Sequence, residues 1–156
     1  WTKGTFEWSV GTIGLSLAAY GIGMAIVQGM LVRPFVTRLG EARTLVCGLI
    51  VGGIAVVGFS LVGAGWVVFA LIPVAALGEL AGPALTSLMS TRVADDAQGE
   101  LQGVLASPTA LASITIPPVA SRAFYHFTSA DAPFVLGAVV IFVSIPLMWR
   151  SLFANS

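Results

Sequence analysis

Glu79 is the residue best placed in this sequence to do chemistry, because it interrupts a long apolar stretch near its middle. A charged carboxylate at the centre of a bilayer costs at least about 2–3 kcal/mol, so it is protonated, paired or turned toward water. Two readings follow. Glu79 is a protonatable coupling group or a cation-recognition group, or it is a structural carboxyl held neutral or hydrogen-bonded to an adjacent helix. Glu79, Pro83, Thr86 and Ser90 follow the i, i+4, i+7, i+11 spacing that predicts one shared helix face. Pro83 has no N–H to offer the carbonyl of Glu79 one turn earlier, which predicts a local kink that widens a cavity or eases packing.

A second set of polar side chains recurs upstream. Thr12, Ser16, Tyr20, Met24 and Gln28 fall every four residues, so they form one slowly drifting stripe on a helix. The stripe either packs against another helix through its hydrogen-bonding side chains or lines a polar cavity. Gln28 is the strongest cavity candidate on it, since an amide in hydrocarbon needs partners. Further along, Thr109 and Ser113 lie near one face of a stretch broken by Pro108, Pro117 and Pro118. Broken helices often border the substrate path of transporters. The candidate cavity set is therefore Tyr20, Met24, Gln28, Pro83, Thr86, Thr109 and Ser113, with Glu79 as the proton-coupling candidate.

Other chemistries lack their residues. Cys47 is the single cysteine and His126 the single histidine. No internal disulfide, cysteine cluster or bis-histidine haem can be built from them, and no metal site or cofactor is expected. Cys47 reads as a small packing residue and His126 as a solvated side chain in a polar turn from Tyr125 to Asp131. A membrane-embedded serine hydrolase needs a base beside its nucleophile, and only Glu79 lies within an apolar stretch, so the chain is not expected to be an enzyme.

The elements that position these residues are set by composition. Hydrophobic residues make up 57% of the sequence and charged residues 9%, and the mean hydropathy is +0.98. A soluble domain carries about a quarter charged residues. The formal net charge is zero, which gives no reason to expect a nucleic-acid partner. No charged residue occurs from Trp8 to Val32, or from Thr44 to Gly78. About 20 apolar residues cross a bilayer as a helix. The expected fold is an all-α membrane protein, a polytopic bundle of about five transmembrane helices, with spans near 9–31, 44–62, 66–90, 101–124 and 132–149. Its first partner is the lipid bilayer. The opening Trp1–Trp8 segment is polar and aromatic, without the basic and short apolar regions of a signal peptide.

Gly21, Ala25 and Gly29, and again Gly48 and Gly52, have the spacing that lets helices approach closely. Between the first two spans lies a basic segment, Val32–Thr44, expected to be a loop, with Pro34 favouring a turn and Thr44 capping the next helix. Asp95 or Asp96 is expected to cap the fourth span, with Glu100 in its first turn. Short loops rich in Lys and Arg stay cytoplasmic. With the 33–43 loop inside, Arg33, Arg38, Arg43, Arg92 and Arg150 fall on the cytoplasmic side, against Lys3 and Arg122 outside. The interfacial aromatics expected are Trp8, Trp66 and Trp149.

Arg38-Leu39-Gly40-Glu41-Ala42-Arg43-Thr44-Leu45, followed by a glycine-rich span, resembles the cytoplasmic loop between the second and third helices of the C-terminal half of major facilitator transporters. The likeness is to the tetracycline/proton antiporter group of drug exporters. Ser16-Leu17-Ala18-Ala19-Tyr20-Gly21 followed by Gln28 resembles helix 8 of that family. Gly65-Trp66-Val67-Val68-Phe69 resembles the start of its helix 10, and Gly82-Pro83-Ala84-Leu85 with Met89-Ser90 the end. Gln98-Gly99-Glu100-Leu101-Gln102-Gly103 resembles the start of helix 11. The likeness runs in the family's order from about Trp8 to Tyr125. It implies twelve helices in two halves, of which residues 1–156 are part of the C-terminal half, helices 8 to 12. The N-terminal half and helix 7 would be partners supplied by the rest of the same transporter. The cytoplasmic motif residues carried over are Arg38, Gly40, Glu41 and Arg43.

The departures from the family pattern matter. Its loop motif begins with Gly and has an acidic residue before the Arg, where this sequence has Arg33 and Thr37. Met24 stands where these antiporters often place a histidine, and Met cannot carry a proton. Glu79 stands where they often have a small residue, which suggests that it supplies the protonatable group instead. The resemblance implies proton-coupled efflux of drugs or other small amphipathic molecules by alternating access, with protons as coupling ion and no cofactor. The expected location is a bacterial inner membrane. Two alternatives stay open: a metabolite uptake permease of the same superfamily, and a non-transporting membrane scaffold. A permease for anions would want an arginine inside the membrane, and none lies at mid-span.

Overall fold

Hydrocarbon offers the backbone no water, so an uncharged stretch satisfies its own N–H and C=O groups by folding as a helix. The computed structural model describes residues 2–91, 93, 95–126 and 132–153, and the regular structure among them is entirely helical. A short helix α1 (Thr2–Phe6) leads through Trp8 to α2 (Val10–Ile26). One π-helical turn, Val27–Leu31, carries α2 into α3 (Val32–Leu39). Gly40 separates α3 from α4 (Glu41–Ser60), and Leu61–Ala64 connect α4 to α5 (Gly65–Gly78). Glu79 and Leu80 break the chain before α6 (Ala81–Ser90). A 3-10 turn at Asp95–Ala97 then precedes α7 (Gln98–His126), and α8 (Ala132–Phe153) follows.

Among the described residues, four helical stretches are long and apolar enough to cross a membrane: Val10–Leu39, Glu41–Ser60, Gly65–Ser90 and Ala132–Arg150. The polytopic all-α architecture expected from composition is therefore the one that folds. Helix α7 is longer still, at 29 residues, and holds three prolines, Pro108, Pro117 and Pro118. Large apolar side chains stand exposed along α2, α7 and α8, among them Leu15, Ile22, Leu111, Ile114, Val140 and Leu147. Such a surface suits lipid or further helices rather than water.

Helix α4 is the hub, packing against α5, α6 and α8, while α2 packs on α5. Small residues make this possible, because association in lipid relies on close van der Waals contact. A Cβ on Gly48 would lie 2.6 Å from the backbone nitrogen of Ala81, and one on Gly78 would lie 2.6 Å from the Cα of Gly52. The two glycines of the GxxxG pair thus seat α4 against the chain on either side of the Glu79–Leu80 break. Leu45 and Thr44 are fully buried at the start of α4. A second core forms where Val27, Ala76 and Leu80 pack with Leu31, Val32, Phe35 and Leu77. At the opposite end of α5, the Trp8 ring stacks obliquely on Phe69 with centroids 5.3 Å apart.

Several sequence expectations are corrected. The basic segment is not an open loop: residues 32–39 are helical and Gly40 alone breaks the run. Proline is tolerated near the start of a helix, where its missing N–H costs little, and Pro34 sits in the first turn of α3 behind the π turn. Thr44 does not cap α4. Gly40 occupies the cap position, and the Thr44 hydroxyl donates back to the Gly40 carbonyl at 2.8 Å. The expected shared face of Glu79, Pro83, Thr86 and Ser90 is interrupted, because Glu79 belongs to the break and not to α6. At the break the N–H groups of Glu79 and Leu80 reach the carbonyls of Ala76 and Leu77, three residues back, at 3.1 and 3.2 Å. The expected polar turn from Tyr125 is helical as far as His126, and its remainder, like Arg92, lies outside the described residues.

Gly40 has φ +81° and ψ 162°, a conformation essentially reserved for glycine. A Gly40→Ala variant is expected to lose about 1–3 kcal/mol. The check is the thermal midpoint of the detergent-solubilised protein, which should fall below that of the parent.

Candidate functional site

The break between α5 and α6 places one carboxylate inside the helix bundle. Glu79 is the last capping residue of α5, with φ −65° and ψ −6°, and its side chain is half-buried. Tyr20, half-buried on α2, donates its hydroxyl to Oε1 of Glu79 at 2.6 Å. This bond joins positions 59 residues apart in sequence. A carboxylate inside a helix bundle needs such a partner, and a hydrogen bond with an ionised acceptor is about twice as strong as a neutral one. The approach is close because α2 meets α5 tightly nearby: a Cβ on Gly23 would come 2.9 Å from the Cβ of Ala76.

The pair borders a cavity of about 230 Å³ between α2, α4, α5 and α8. Its walls include Gly48 and Gly52 from α4, Gly78 from α5 and Ile141 from α8. Apart from the pair, the wall is glycine, alanine and aliphatic side chains, so the carboxyl and the phenol are its chemically distinctive groups. A larger space of about 440 Å³ lies between α2 and α5, but Ile22, Ile26, Phe69, Ile72 and other apolar groups line it and no titratable side chain does. The smaller cavity is therefore the candidate site. What it can do is hold and release a proton, or hold a cation, next to a hydroxyl.

Of the other cavity candidates, none lines this space. Met24 is half-buried on α2 one turn beyond Tyr20. Gln28 is exposed within the π turn, whose wider winding takes it off the stripe that Tyr20 and Met24 follow. Pro83 is half-buried in α6, and the exposed Thr86 donates to the carbonyl of Gly82 at 3.2 Å. Thr109 and Ser113 are exposed on α7 and satisfy their hydroxyls on their own helix, at Leu105 and Thr109 carbonyls 2.9 and 2.8 Å away.

A second polar cluster fastens the far end of α6. Glu41 opens α4, where its charge faces the positive end of the helix. Its carboxylate accepts the Ser87 hydroxyl at 2.5 Å, and the Thr91 hydroxyl, which donates to the Leu88 carbonyl at 2.9 Å, lies 3.4 Å from its other oxygen. Behind them, the Gln98 side-chain amide donates to the carbonyls of Ser90 and Val93 at 3.0 and 3.1 Å. The Gln98 side chain thus ties the start of α7 to the end of α6 and the residues after it. Arg38 stands exposed in the last turn of α3, and Arg43 is exposed on α4. Glu41→Ala removes the bond to Ser87 on α6 and the contact with Thr91 just beyond it. For a partly exposed carboxylate this is expected to cost about 1 kcal/mol. Trypsin should then cleave at Arg38 and Arg43 faster than in the parent.

The pairing of Tyr20 with Glu79 and the partners of Glu41 were not visible in sequence. The available signals were weak ones: two polar groups in apolar stretches, each needing a partner, and the four-residue spacing of Ser87 and Thr91.

Comparison with known proteins adds the family. The model of the Major Facilitator Superfamily matches residues 1–155. The chain is 37% identical over 154 residues to the class G tetracycline resistance protein of Vibrio anguillarum, covering 97% of this chain and 39% of that protein. It is 33% identical over 153 residues to the class C tetracycline resistance protein of Escherichia coli, with the same two coverages. It is 33% identical over 116 residues to the class D protein of Salmonella ordonez, covering 74% of this chain and 29% of that one. The chain thus spans about two-fifths of the length of the first two relatives. No solved structure matches it.

Proposed function

This chain belongs to the Major Facilitator Superfamily, and from that membership we propose that it forms the C-terminal helices of a proton-coupled exporter of tetracycline-like drugs. Two relatives that cover 97% of the chain are named for resistance to tetracycline. A membrane carrier confers resistance by moving the drug out. The observation that carries the proton-coupled reading is the Tyr20–Glu79 pair facing a cavity in the middle of the bundle.

In this reading the two halves of the transporter rock about a central cavity, and Glu79 takes up a proton when the cavity opens outward and gives it up when the cavity opens inward. Glu79 holds the role because Met24 cannot. The exposed faces of α2 with its π turn and of α7, carrying Gln28, Thr109 and Ser113, would turn toward helices of the other half and toward the drug. The protein would sit in a bacterial inner membrane with Arg38 and Arg43 on the cytoplasmic side. There Glu41 would brace the cytoplasmic end by tying α4 to α6.

The test is tetracycline movement in inside-out vesicles bearing the full-length protein, with and without an imposed pH gradient. Accumulation driven by the gradient, abolished by a protonophore, supports the proposal. Gradient-independent movement of the drug would return the protein to the facilitator class, and no movement of any drug would favour a metabolite carrier or a scaffold.

A further inference from the structure

We propose that Tyr20 is the positioning residue of the proton site. Its hydroxyl fixes the carboxylate of Glu79 in the cavity and makes the grip on that carboxylate depend on how α2 sits against the α5–α6 break. The inference rests on the reading of Glu79 as the proton-coupling group and adds a partner and a device to it.

Among the described residues, Tyr20 is the one hydrogen-bond donor recorded to the Glu79 side chain, and it reaches Oε1 at 2.6 Å. An ionised carboxylate has about four acceptor positions. The second oxygen, Oε2, is therefore left to exchange its proton with the cavity. The two residues lie on different elements. Tyr20 rides on α2, and Glu79 sits where α5 stops and α6 has not begun. The seam between α2 and α5 is tight at Gly23 and Ala76, within a turn of each residue of the pair. A small displacement along that seam changes the hydroxyl–carboxylate distance directly, because the phenol ring is rigid and has two rotatable bonds.

The bond is strong while Glu79 is ionised and weaker once it carries a proton. Holding α2 against the break and ionising Glu79 therefore favour each other. When α2 moves away, the carboxylate loses its donor and takes a proton from the water on the side to which the cavity is open. When α2 returns, that proton leaves to the water on the other side. Tyr20 gives up no proton in this scheme; its part is to hold the carboxylate.

The experiment compares the parent, Tyr20→Phe, Glu79→Gln and the double variant, as full-length proteins in vesicles. Two quantities are read: tetracycline accumulation driven by a pH gradient, and downhill tetracycline movement without one. Tyr20→Phe is expected to lower gradient-driven accumulation about tenfold, as loss of a hydrogen bond to a charged group does, and to lower downhill movement by a much smaller factor. In the Glu79→Gln background the same change is expected to add no further loss of accumulation, because Tyr20 acts through Glu79. Tyr20→Phe with parental accumulation overturns the inference. So does a loss of downhill movement as large as the loss of accumulation, since that assigns Tyr20 to packing or to drug contact. Gradient-driven accumulation that persists in Glu79→Gln overturns the underlying reading of Glu79 instead, so the two failures are told apart.

Discussion

Replacing Glu79 with Gln is expected to abolish gradient-driven drug accumulation, to the level of vesicles without the protein, while the protein still inserts and stays folded. The substitution keeps the shape of the side chain and keeps an oxygen to accept the Tyr20 hydroxyl, so the bond at 2.6 Å has a counterpart in the variant. What it removes is the ability to bind and release a proton. Packing around the site gives little reason for collapse, since the walls are glycine, alanine and aliphatic residues from α4, α5 and α8. The structural alternative predicts the reverse pattern. If Glu79 serves only to anchor Tyr20, Gln does this nearly as well, and accumulation survives. The measurement is paired: accumulation under a pH gradient, and the amount and melting midpoint of the variant extracted from the membrane.

The second large effect is expected at the crossing of α4 with the broken helix, and it is asymmetric within one motif. Gly48 and Gly52 have the same spacing and type, yet their surroundings differ. A Cβ at Gly48 meets the backbone nitrogen of Ala81 at 2.6 Å and its Cα at 3.0 Å. Backbone cannot swing aside as a side-chain tip can, so α4 and the break must separate. At Gly52 the nearest neighbour, the Cα of Gly78, would be 3.5 Å away, an ordinary contact. At Gly78 the clash returns, 2.6 Å from the Cα of Gly52. Alanine improves helix propensity by about 0.5–1 kcal/mol over glycine, while forced overpacking costs about 1–3 kcal/mol. Gly52→Ala should therefore leave stability near parental or raise it. Gly48→Ala and Gly78→Ala should lower it by about 1–2 kcal/mol and, by spreading the cavity walls, reduce transport as well. Melting midpoints of the three variants in one detergent decide the matter, and equal midpoints would contradict the crossing described above.

The fold class was legible in the sequence because hydrocarbon permits so few backbone solutions. Stretches without charge had to be helices, and Glu79 stood out as the polar residue such a stretch does not tolerate without a reason. Other features depend on which elements meet in space, and periodicity carries no such information. The stripe through Tyr20, Met24 and Gln28 was drawn at an even winding, and the π turn at Val27–Leu31 ends that regularity. The basic segment looked like a loop by composition, yet it folds as helix up to Gly40, because a strongly amphipathic run of residues 32–39 needs only one glycine to stop it. Glu41 read as part of a surface motif, whereas its acceptors' partners are Ser87 and Thr91, 46 and 50 residues away. The GxxxG pair was a weak signal in a glycine-rich chain. Only the packing of α4 on the Glu79 break separates Gly48, which must be glycine, from Gly52, which need not be.

The central claim is that Glu79 is the group that exchanges the coupling proton, and proton release measures it most directly. Purified full-length protein in weakly buffered detergent is mixed with tetracycline, and the proton count is followed with a pH-indicator dye. The parent is expected to release protons on binding the drug, and Glu79→Gln, binding the drug still, is expected to release none. Release from Glu79→Gln equal to that of the parent would contradict the account and place the coupling proton elsewhere in the transporter.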